Sequence, residues 1–227
     1  MAEGTGETGL GQKDRDVSFA QEVLDATQAG VLKAVGPVLQ SKGFYLAGGT
    51  ALALQLGHRR SADLDWFVEG PFGDSNILAA GLCAAGIDFK TEIVGRGTLH
   101  GSVSGVRVSL LEFPYPMLQQ KVHFPDAACE MASLDDIAAM KLSATAQRGT
   151  RKDFVDVYAL IARHATLAQL LGCYQRKFSI KEPGHILYAL SYFDDAEKGP
   201  MPQMLWRVGW QTVKAHLRKS VADFADQ

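Results

Sequence analysis

The chain has 227 residues, which is long enough to bury a substantial core as one large domain or as a domain with a helical extension. Its three cysteines, Cys83, Cys129 and Cys173, include no close pair, so they indicate neither a zinc knuckle nor a redox dithiol and are typical of buried thiols in a reducing compartment. The formal net charge of -2 gives no global attraction to polyanions, so nucleic acid would have to bind local clusters such as His58-Arg59-Arg60 or residues 148–152.

The N-terminal residues 1–16 are rich in Gly, Glu, Asp and Lys and lack the apolar segment that a secretory signal requires. This composition predicts a disordered leader. No apolar run in the sequence approaches the roughly 20 residues that span a bilayer. We therefore expect a cytoplasmic protein with no membrane partner.

The first half of the chain alternates between helical and strand patterns. Apolar residues between Ser18 and Gln40 recur at helical spacing and predict a helical pair or one kinked helix. Residues 44–47 then form a short strand candidate, followed by a turn at Gly48-Gly49 and a helix that ends at Gly57. Further patterns predict a strand at 63–68, a helix at 76–85, and strands at 89–94, 98–103 and 106–113.

The second half is predominantly helical. Ser133 and the acidic residues after it are typical of a helix start, and this helix is predicted to run to about Arg148. Helical patterns then cover residues 151–163, 167–176, 184–193 and 208–224. The chain is thus predicted to be an α+β (mixed α/β) protein, with a mixed sheet flanked by helices in residues 17–130 and a helical region in residues 131–227.

The strand predicted at 63–68 carries two carboxylates, Asp63 and Asp65, separated by one residue. Period-two geometry places Asp63 and Asp65 on one face, with α-carbons roughly 6.5 Å apart, while Leu64 points to the other face. Magnesium keeps water and phosphate oxygens in its octahedral shell, so a site with one or two protein carboxylates suits it. The pair predicts a Mg²⁺ site, although solvated aspartates at a strand end remain an alternative interpretation.

The glycine turn before this strand has a matching role. A turn without β-carbons lets the backbone approach a phosphate, and the N-terminus of the next helix offers unpaired N–H groups. The Thr50 hydroxyl would add a polar contact. The alternative is that Gly48-Gly49 is only a tight turn between a strand and a helix.

A second group of charged residues lies near Arg148. Lys141 and Arg148 are two helical turns apart and project from one face, where they would bind triphosphate oxygens or form a solvated surface. Lys152 and Asp156 are four residues apart and could form an intrahelical ion pair. Asp153 and Asp156 also share a face.

These two blocks resemble one known family. Residues 48–67, from Gly48-Gly49-Thr50 to Asp63-Leu64-Asp65-Trp66-Phe67, are similar to the signature of AbiEii/AbiGii toxin-type nucleotidyltransferases, within the DNA polymerase β-like nucleotidyltransferase superfamily. Residues 136–142 and 148–158, which include Lys152-Asp153 and Asp156, are similar to the basic motif and Lys-Asp-x-x-Asp helix of that family. The blocks bracket residues 44 to 163 in the expected order and spacing.

The resemblance implies a nucleotidyltransferase core in residues 17–130, with the region 131–227 completing the active site. The expected catalytic residues are Asp63, Asp65, Lys141 and Asp156, and the expected metal ligands are Asp63 and Asp65. The expected nucleotide-binding residues are Gly48, Gly49, Thr50, Ser61, Lys141, Arg148, Lys152 and Asp153.

One position departs from the superfamily. Polymerase β-like enzymes commonly carry a third carboxylate on a later strand, where it holds the metal or deprotonates the attacking hydroxyl. The strand at 106–113 has Ser109 at this place, and Glu112, three residues further, points to the opposite face. Either Asp156 completes the site from its helix, or catalysis is weak or absent.

Histidine and tryptophan side chains carry less functional weight. The six histidines, His58 and His100 among them, show no metal-ligand spacing and are predicted to have surface or packing roles. Trp206 and Trp210 lie four residues apart and are typical of a packed terminal helix.

The leading hypothesis is a Mg²⁺-dependent transfer of a nucleotide monophosphate from a nucleoside triphosphate to an acceptor hydroxyl. The resemblance implies a toxin of a bacterial toxin–antitoxin or phage-defence pair, with RNA, and transfer RNA in particular, as acceptor and a separate antitoxin chain as partner. Two alternatives stay open: a nucleotidyltransferase acting on a small molecule of the antibiotic type, and a non-catalytic nucleotide-binding module. A broad basic surface would favour RNA, whereas a deep acidic pocket would favour a cationic small molecule.

Overall fold

The computed structural model describes residues 19–226, and the predicted leader lies outside this range. Seven strands form one sheet: β1 (Tyr45–Ala47), β2 (Leu64–Val68), β3 (Phe89–Gly95), β4 (Thr98–Val103), β5 (Val106–Glu112), β6 (Val122–Phe124) and β7 (Cys129–Met131). Their order across the sheet is β3-β4-β5-β2-β1-β7-β6. The β2–β5 and β1–β7 pairs are parallel and the other pairs are antiparallel.

Helices surround this sheet and make up most of the C-terminal region. They are α1 (Ala26–Gln40), α2 (Gly48–Leu56), α3 (Ser75–Ala84), α4 (Leu134–Arg148), α5 (Arg151–Arg163), α6 (Leu167–Phe178), α7 (Gly184–Ser191), α8 (Asp194–Glu197) and α9 (Trp210–Ala225). The predicted α+β class, with a mixed sheet followed by helices, is confirmed.

Local sequence signals set the boundary between α4 and α5. The Ser133 side chain accepts a hydrogen bond from the Asp136 backbone N–H and caps the start of α4. Gly149 ends α4 in a left-handed conformation with φ of 51°, and Thr150 caps α5 directly afterwards. This tight connection brings the end of α4 and the start of α5 to the same side of the sheet.

The proposed boundary near residue 130 falls within β7, because β7 extends to Met131. Leu46 from the sheet and Leu142 and Val155 from the helical region belong to one buried apolar cluster. The two regions therefore share a hydrophobic core.

The structure also contains elements that the sequence patterns do not predict. Strands β6 and β7 are only three residues long, too short to show a clear alternation of polar and apolar residues. Helix α2 begins at Gly48, whereas the sequence predicts a turn at Gly48-Gly49 before the helix. Within residues 19–226, no helix has both the length and the apolar content needed to cross a bilayer.

Candidate active site

A cleft of about 1050 Å³ opens between the sheet and helices α4 and α5. Its walls come from β2 to β5, the first turn of α2, the loop before β2, helix α4 and the start of α5. Seven of the predicted site residues line it: Gly49, Ser61, Asp63, Asp65, Lys141, Arg148 and Lys152.

The sheet presents a row of polar side chains to this cleft. Asp65 on β2 pairs in register with Ser109 on β5, and Ser109 pairs in register with His100 on β4. All three line the cleft, whereas the neighbouring residues Leu64 and Leu110 are fully buried. Asp65 and Leu64 therefore point to opposite faces of β2 as predicted, whereas Asp63 precedes β2, which begins at Leu64 rather than at Asp63. Ser109 occupies the register position beside Asp65.

The glycine turn lies against the aspartate strand. Gly48 has φ of +66°, and a β-carbon there would lie 2.8 Å from the Asp65 Oδ2 atom. A β-carbon on Gly49 would lie 2.6 Å from an Arg59 guanidinium nitrogen. Gly48 requires glycine for its backbone conformation and its close contact with Asp65, and a β-carbon on Gly49 would displace the Arg59 guanidinium.

Thr50 lies behind the cleft wall. Its hydroxyl contacts the Ser61 hydroxyl at 2.9 Å and donates a hydrogen bond to the Asp63 backbone oxygen. Thr50 is fully buried, so its position suits holding the loop that carries Ser61 and Asp63.

Lys141 and Asp156 belong to a buried ion network that joins α4, α5 and the segment after α2. The Lys141 Nζ atom lies 2.6 Å from Asp156 Oδ2. Arg59 donates to both carboxylate oxygens of Asp156, at 2.7 and 2.9 Å, and the His58 Nε2 atom lies 2.8 Å from Oδ1. Asp156 is fully buried and does not line the cleft, so it holds Lys141 and Arg59 from behind the cleft wall.

The network controls the protonation of its members. Burial alone would raise the pKa of Asp156, but the charges of Lys141 and Arg59 and the hydrogen bonds from His58 and Arg59 hold this pKa well below its usual range. Burial lowers the pKa of His58, and the opposing effect of Asp156 does not reverse that shift. The cluster therefore contains one anion, two cations and a neutral imidazole, and its net charge is positive.

Arg148 and Asp153 form a second pair at the junction of α4 and α5. Two guanidinium nitrogens of Arg148 donate to the two oxygens of Asp153, each at 2.8 Å, and the Thr150 hydroxyl also donates to Asp153. Asp153 is fully buried, whereas the side chain of Arg148 is 53% exposed and lines the cleft. Asp153 thus positions Arg148. Burial would raise the pKa of Asp153, but the hydrogen bonds from Arg148 and Thr150 and the positive charge of Lys141 outweigh burial and lower this pKa.

The two basic clusters that the sequence offers for nucleic-acid binding, His58-Arg59-Arg60 and residues 148–152, expose fewer basic side chains than the sequence indicates. His58 and Arg59 are both buried, and Arg151 is engaged with Glu197 and lies over the Trp210 ring. The cleft itself nevertheless has more basic than acidic residues. Its basic residues are Arg59, Arg60, Arg107, Lys141, Arg148 and Lys152, and its acidic residues are Asp25, Asp63, Asp65 and Glu92.

Asp63 and Asp65 fit a hard cation by the chemistry of their donors. In residues 19–226 neither carboxylate forms an ion pair with a basic side chain, and both face the cleft. No group of three or more His, Cys, Asp or Glu side chains in that range is arranged to bind a metal. Two protein carboxylates completed by water and substrate oxygens is the arrangement that suits Mg²⁺.

The roles of His58, Arg59 and His100 were not recognisable from the sequence. His58 and Arg59 contact Asp156 across nearly 100 residues of chain, and His100 reaches the cleft only through strand pairing. The only local signal was the position of His58 and Arg59 directly after α2, inside the first motif block.

Comparisons with known proteins identify the family of this chain. Residues 82–226 match the family described as nucleotidyl transferase AbiEii toxin, type IV toxin–antitoxin system. This match includes Lys141 and Asp156, whereas Asp63 and Asp65 precede it. An uncharacterized protein of Aquifex aeolicus, aq_aa25, is 32% identical over 190 residues, which cover 81% of this chain and 88% of that protein.

Two solved structures have a similar fold. JHP933 from Helicobacter pylori has a TM-score of 0.56 at 16% identity, with 92% of this chain and 94% of that chain covered. MenT4, a nucleotidyltransferase toxin from Mycobacterium tuberculosis, has a TM-score of 0.55 at 16% identity, with 88% of this chain and 82% of that chain covered. Identities this low support the fold alone, whereas the family match spans more than half of the chain. This protein therefore belongs to the AbiEii family of toxin nucleotidyltransferases.

Proposed function

We propose that this protein transfers a nucleotide monophosphate from a nucleoside triphosphate to a hydroxyl of RNA, with transfer RNA as the expected acceptor. The observation that carries the proposal is the cleft itself, in which Asp63, directly before β2, and Asp65, on β2, lie opposite Lys141 and Arg148 of the facing helix α4. Carboxylates for a cation and fixed cations for phosphate oxygens are the two components that phosphoryl transfer requires.

Each group has a distinct role in this proposal. Asp63 and Asp65 would hold Mg²⁺, which when bound neutralises charge on the triphosphate and the departing pyrophosphate. Lys141, Arg148 and Lys152 bind triphosphate oxygens, and the backbone at Gly49 approaches them closely because it has no side chain.

Asp153 and Asp156 act through the cations that they hold. Because both are fully buried, Asp153 positions Arg148 and Asp156 positions Lys141, and neither is proposed to contact the substrate. This differs from the direct role that the family resemblance implies for Asp156.

The charge of the cleft favours a polyanionic acceptor. Six basic and four acidic residues line it, which is unlike the deep acidic pocket that a cationic small molecule would require. A small-molecule acceptor remains the second candidate. The third, a non-catalytic nucleotide-binding module, is supported by Ser109, which occupies the register position beside Asp65.

The family match supports a toxin with a separate antitoxin chain as its partner. A role in bacterial phage defence belongs to the same proposal. A cytoplasmic location also belongs to it, because nucleoside triphosphates and transfer RNA are both cytoplasmic.

The test is incorporation of α-³²P-labelled nucleoside triphosphates into total RNA by the purified protein with Mg²⁺. The wild type should incorporate label into RNA, and Asp63→Ala and Lys141→Ala should not. Asp88→Ala and Lys219→Ala are the controls and should still incorporate label, because Asp88 and Lys219 are exposed and lie outside the cleft. Circular dichroism of each variant separates lost chemistry from lost folding. Triphosphate binding without incorporation into RNA or any small acceptor would support the binding module and overturn the proposal.

A further inference from the structure

Transfer to a hydroxyl requires a group that takes up the hydroxyl proton, and most acidic groups near the cleft are not available for this. Asp63 and Asp65 are assigned to the cation, and Asp156 is enclosed by three basic side chains. Glu112 accepts a hydrogen bond from the Phe72 backbone N–H and does not line the cleft. Ser109, beside Asp65, has only a hydroxyl, which is a poor proton acceptor.

His100 lies next to Ser109 in the same row of the sheet. It is partly exposed and lines the cleft, and its ring forms no hydrogen bond or ion pair within residues 19–226. Imidazole is the side chain whose proton affinity best suits acid–base catalysis near neutral pH.

The spacing across the sheet also fits. Adjacent strands lie about 4.8 Å apart, so Asp65 on β2 and His100 on β4, two strands away, are separated by roughly 10 Å at the backbone. Asp65 and His100 thus face the same cleft from strands on either side of β5, with Ser109 between them.

On the basis of the proposed transferase function, we propose that His100 is the general base of the reaction and replaces the carboxylate that is absent at Ser109. A ring nitrogen of neutral His100 takes the proton from the acceptor O–H as the oxygen bonds to the α-phosphorus. The bond between the α-phosphorus and the bridging oxygen breaks, and pyrophosphate leaves with that electron pair. The imidazolium then releases its proton to water.

Charged side chains reach the surroundings of His100 from each neighbouring strand. Glu92 lies on β3 and Arg107 on β5, and both line the cleft with His100. Asp63 and Asp65 lie beyond β5, and Lys141 faces the sheet from α4. A pH profile must therefore be compared with variants of Glu92 as well as His100.

The experiment measures kcat for nucleotide transfer to bulk transfer RNA as a function of pH for the wild type, His100→Asn, His100→Ala and Glu92→Gln. His123→Asn is the matched control, because His123 is exposed on β6 at the opposite edge of the sheet. His100→Asn should lower kcat by at least about 100-fold, the usual contribution of a general base, and should remove the fall in rate at acidic pH. The KM for the triphosphate should change little, because His100 does not bind phosphate.

Two further measurements separate a base from a structural residue. Added imidazole should restore part of the activity of His100→Ala without affecting the wild type. Ser109→Asp in the His100→Ala background should also restore activity, because it returns a carboxylate to the row. If the wild type is active and His100→Asn has the same kcat and the same pH profile, the inference is overturned but the transferase function stands. The same conclusion follows if the fall in rate at acidic pH disappears only in Glu92→Gln. A wild type that transfers no nucleotide to any acceptor would instead remove the function itself.

Discussion

Lys141 and Asp156 lie on different helices, yet their side chains form a 2.6 Å ion pair in which neither is more than 6% exposed. Asp156 shares its two oxygens among Lys141, Arg59 and His58. One carboxylate thus holds two cations at the wall of the cleft, and the surplus positive charge is directed towards the proposed triphosphate site. We therefore expect both the stability of the fold and the geometry of the proposed site to depend on Asp156.

Asp156→Asn removes the carboxylate that is ion-paired with both Lys141 and Arg59. The variant keeps the side-chain size but leaves two buried cations without their counter-charge, which typically costs 3–5 kcal/mol. We expect a loss of about that size in the free energy of unfolding, measured by urea denaturation, together with loss of transfer activity. Lys219→Ala breaks an exposed ion pair on α9 and should have a much smaller effect. Equal stability of the two variants would show that the network does not stabilise the fold.

The pKa of His58 makes stability depend on pH. Because burial lowers this pKa in the folded protein, the unfolded chain takes up a proton first as the pH falls below the ordinary value of 6.5. The free energy of unfolding should therefore decrease from pH 7.5 to 5.5, and this decrease should be smaller in His58→Gln. Urea denaturation at both pH values measures the difference. His123→Gln should keep the dependence of the wild type, and a His58→Gln variant with an equally steep decrease would contradict the assignment.

Much of the fold follows from local signals in the sequence. The cap at Ser133 and the glycine at Gly149 define α4 to the residue, and the alternation of Leu64, Asp65 and Trp66 defines β2 and its buried face. The short strands β6 and β7 could not be predicted in this way, because each depends on pairing with a distant or adjacent strand more than on its own three residues.

The site was predictable to a smaller extent. The structure places the carboxylates Asp63 and Asp65 and the cations Lys141 and Arg148 on one cleft, and their roles there stay predictions. Spacing alone offers Lys152 as the partner of Asp156, but the partners that the structure shows come from α4 and from the segment after α2. Such long-range pairs are set by how the helices pack, and a helical spacing of four residues cannot reveal them.

Gly48→Ala should disrupt the site through both backbone and side-chain effects. A residue with a β-carbon in the left-handed region costs about 1–2 kcal/mol, and here the new methyl group would also displace the Asp65 carboxylate. We expect a large loss of kcat in the transfer assay. Gly86→Ala has a similar φ of +84° and no atom within 4 Å of the added methyl group, so it should lose similar stability but keep its activity. Equal activity of the two alanine variants would show that Gly48 does not position Asp65.

Removal of the divalent cation should abolish transfer. The effect of Mg²⁺ on triphosphate binding should depend on Asp65. In the wild type, Mg²⁺ should strengthen binding of a fluorescent triphosphate analogue, because Asp63 and Asp65 would hold the cation and it would offset the negative charge of the phosphates. With Asp65→Asn, binding should become nearly insensitive to Mg²⁺ or EDTA. Asp88→Asn, an exposed carboxylate outside the cleft, should keep the response of the wild type. An Asp65→Asn variant that still responds fully to Mg²⁺ would assign the cation to other ligands.

Arg148→Lys keeps a positive charge at the end of α4 but removes the planar group that Asp153 holds at two points. The two 2.8 Å bonds hold one edge of the guanidinium against Asp153, and a lysine ammonium cannot reproduce this fork. Because the side chain is half exposed, solvent screens the pair, and the variant should lose only about 1 kcal/mol of stability. Nucleotide binding should suffer more, with an increase in triphosphate KM of about tenfold, equal to about 1.4 kcal/mol. Steady-state kinetics at varied triphosphate concentration measures this, and Arg163→Lys, on the last turn of α5 and outside the cleft, is the matched control. An unchanged KM in Arg148→Lys would mean that only the charge of Arg148, and not its orientation by Asp153, serves the nucleotide site.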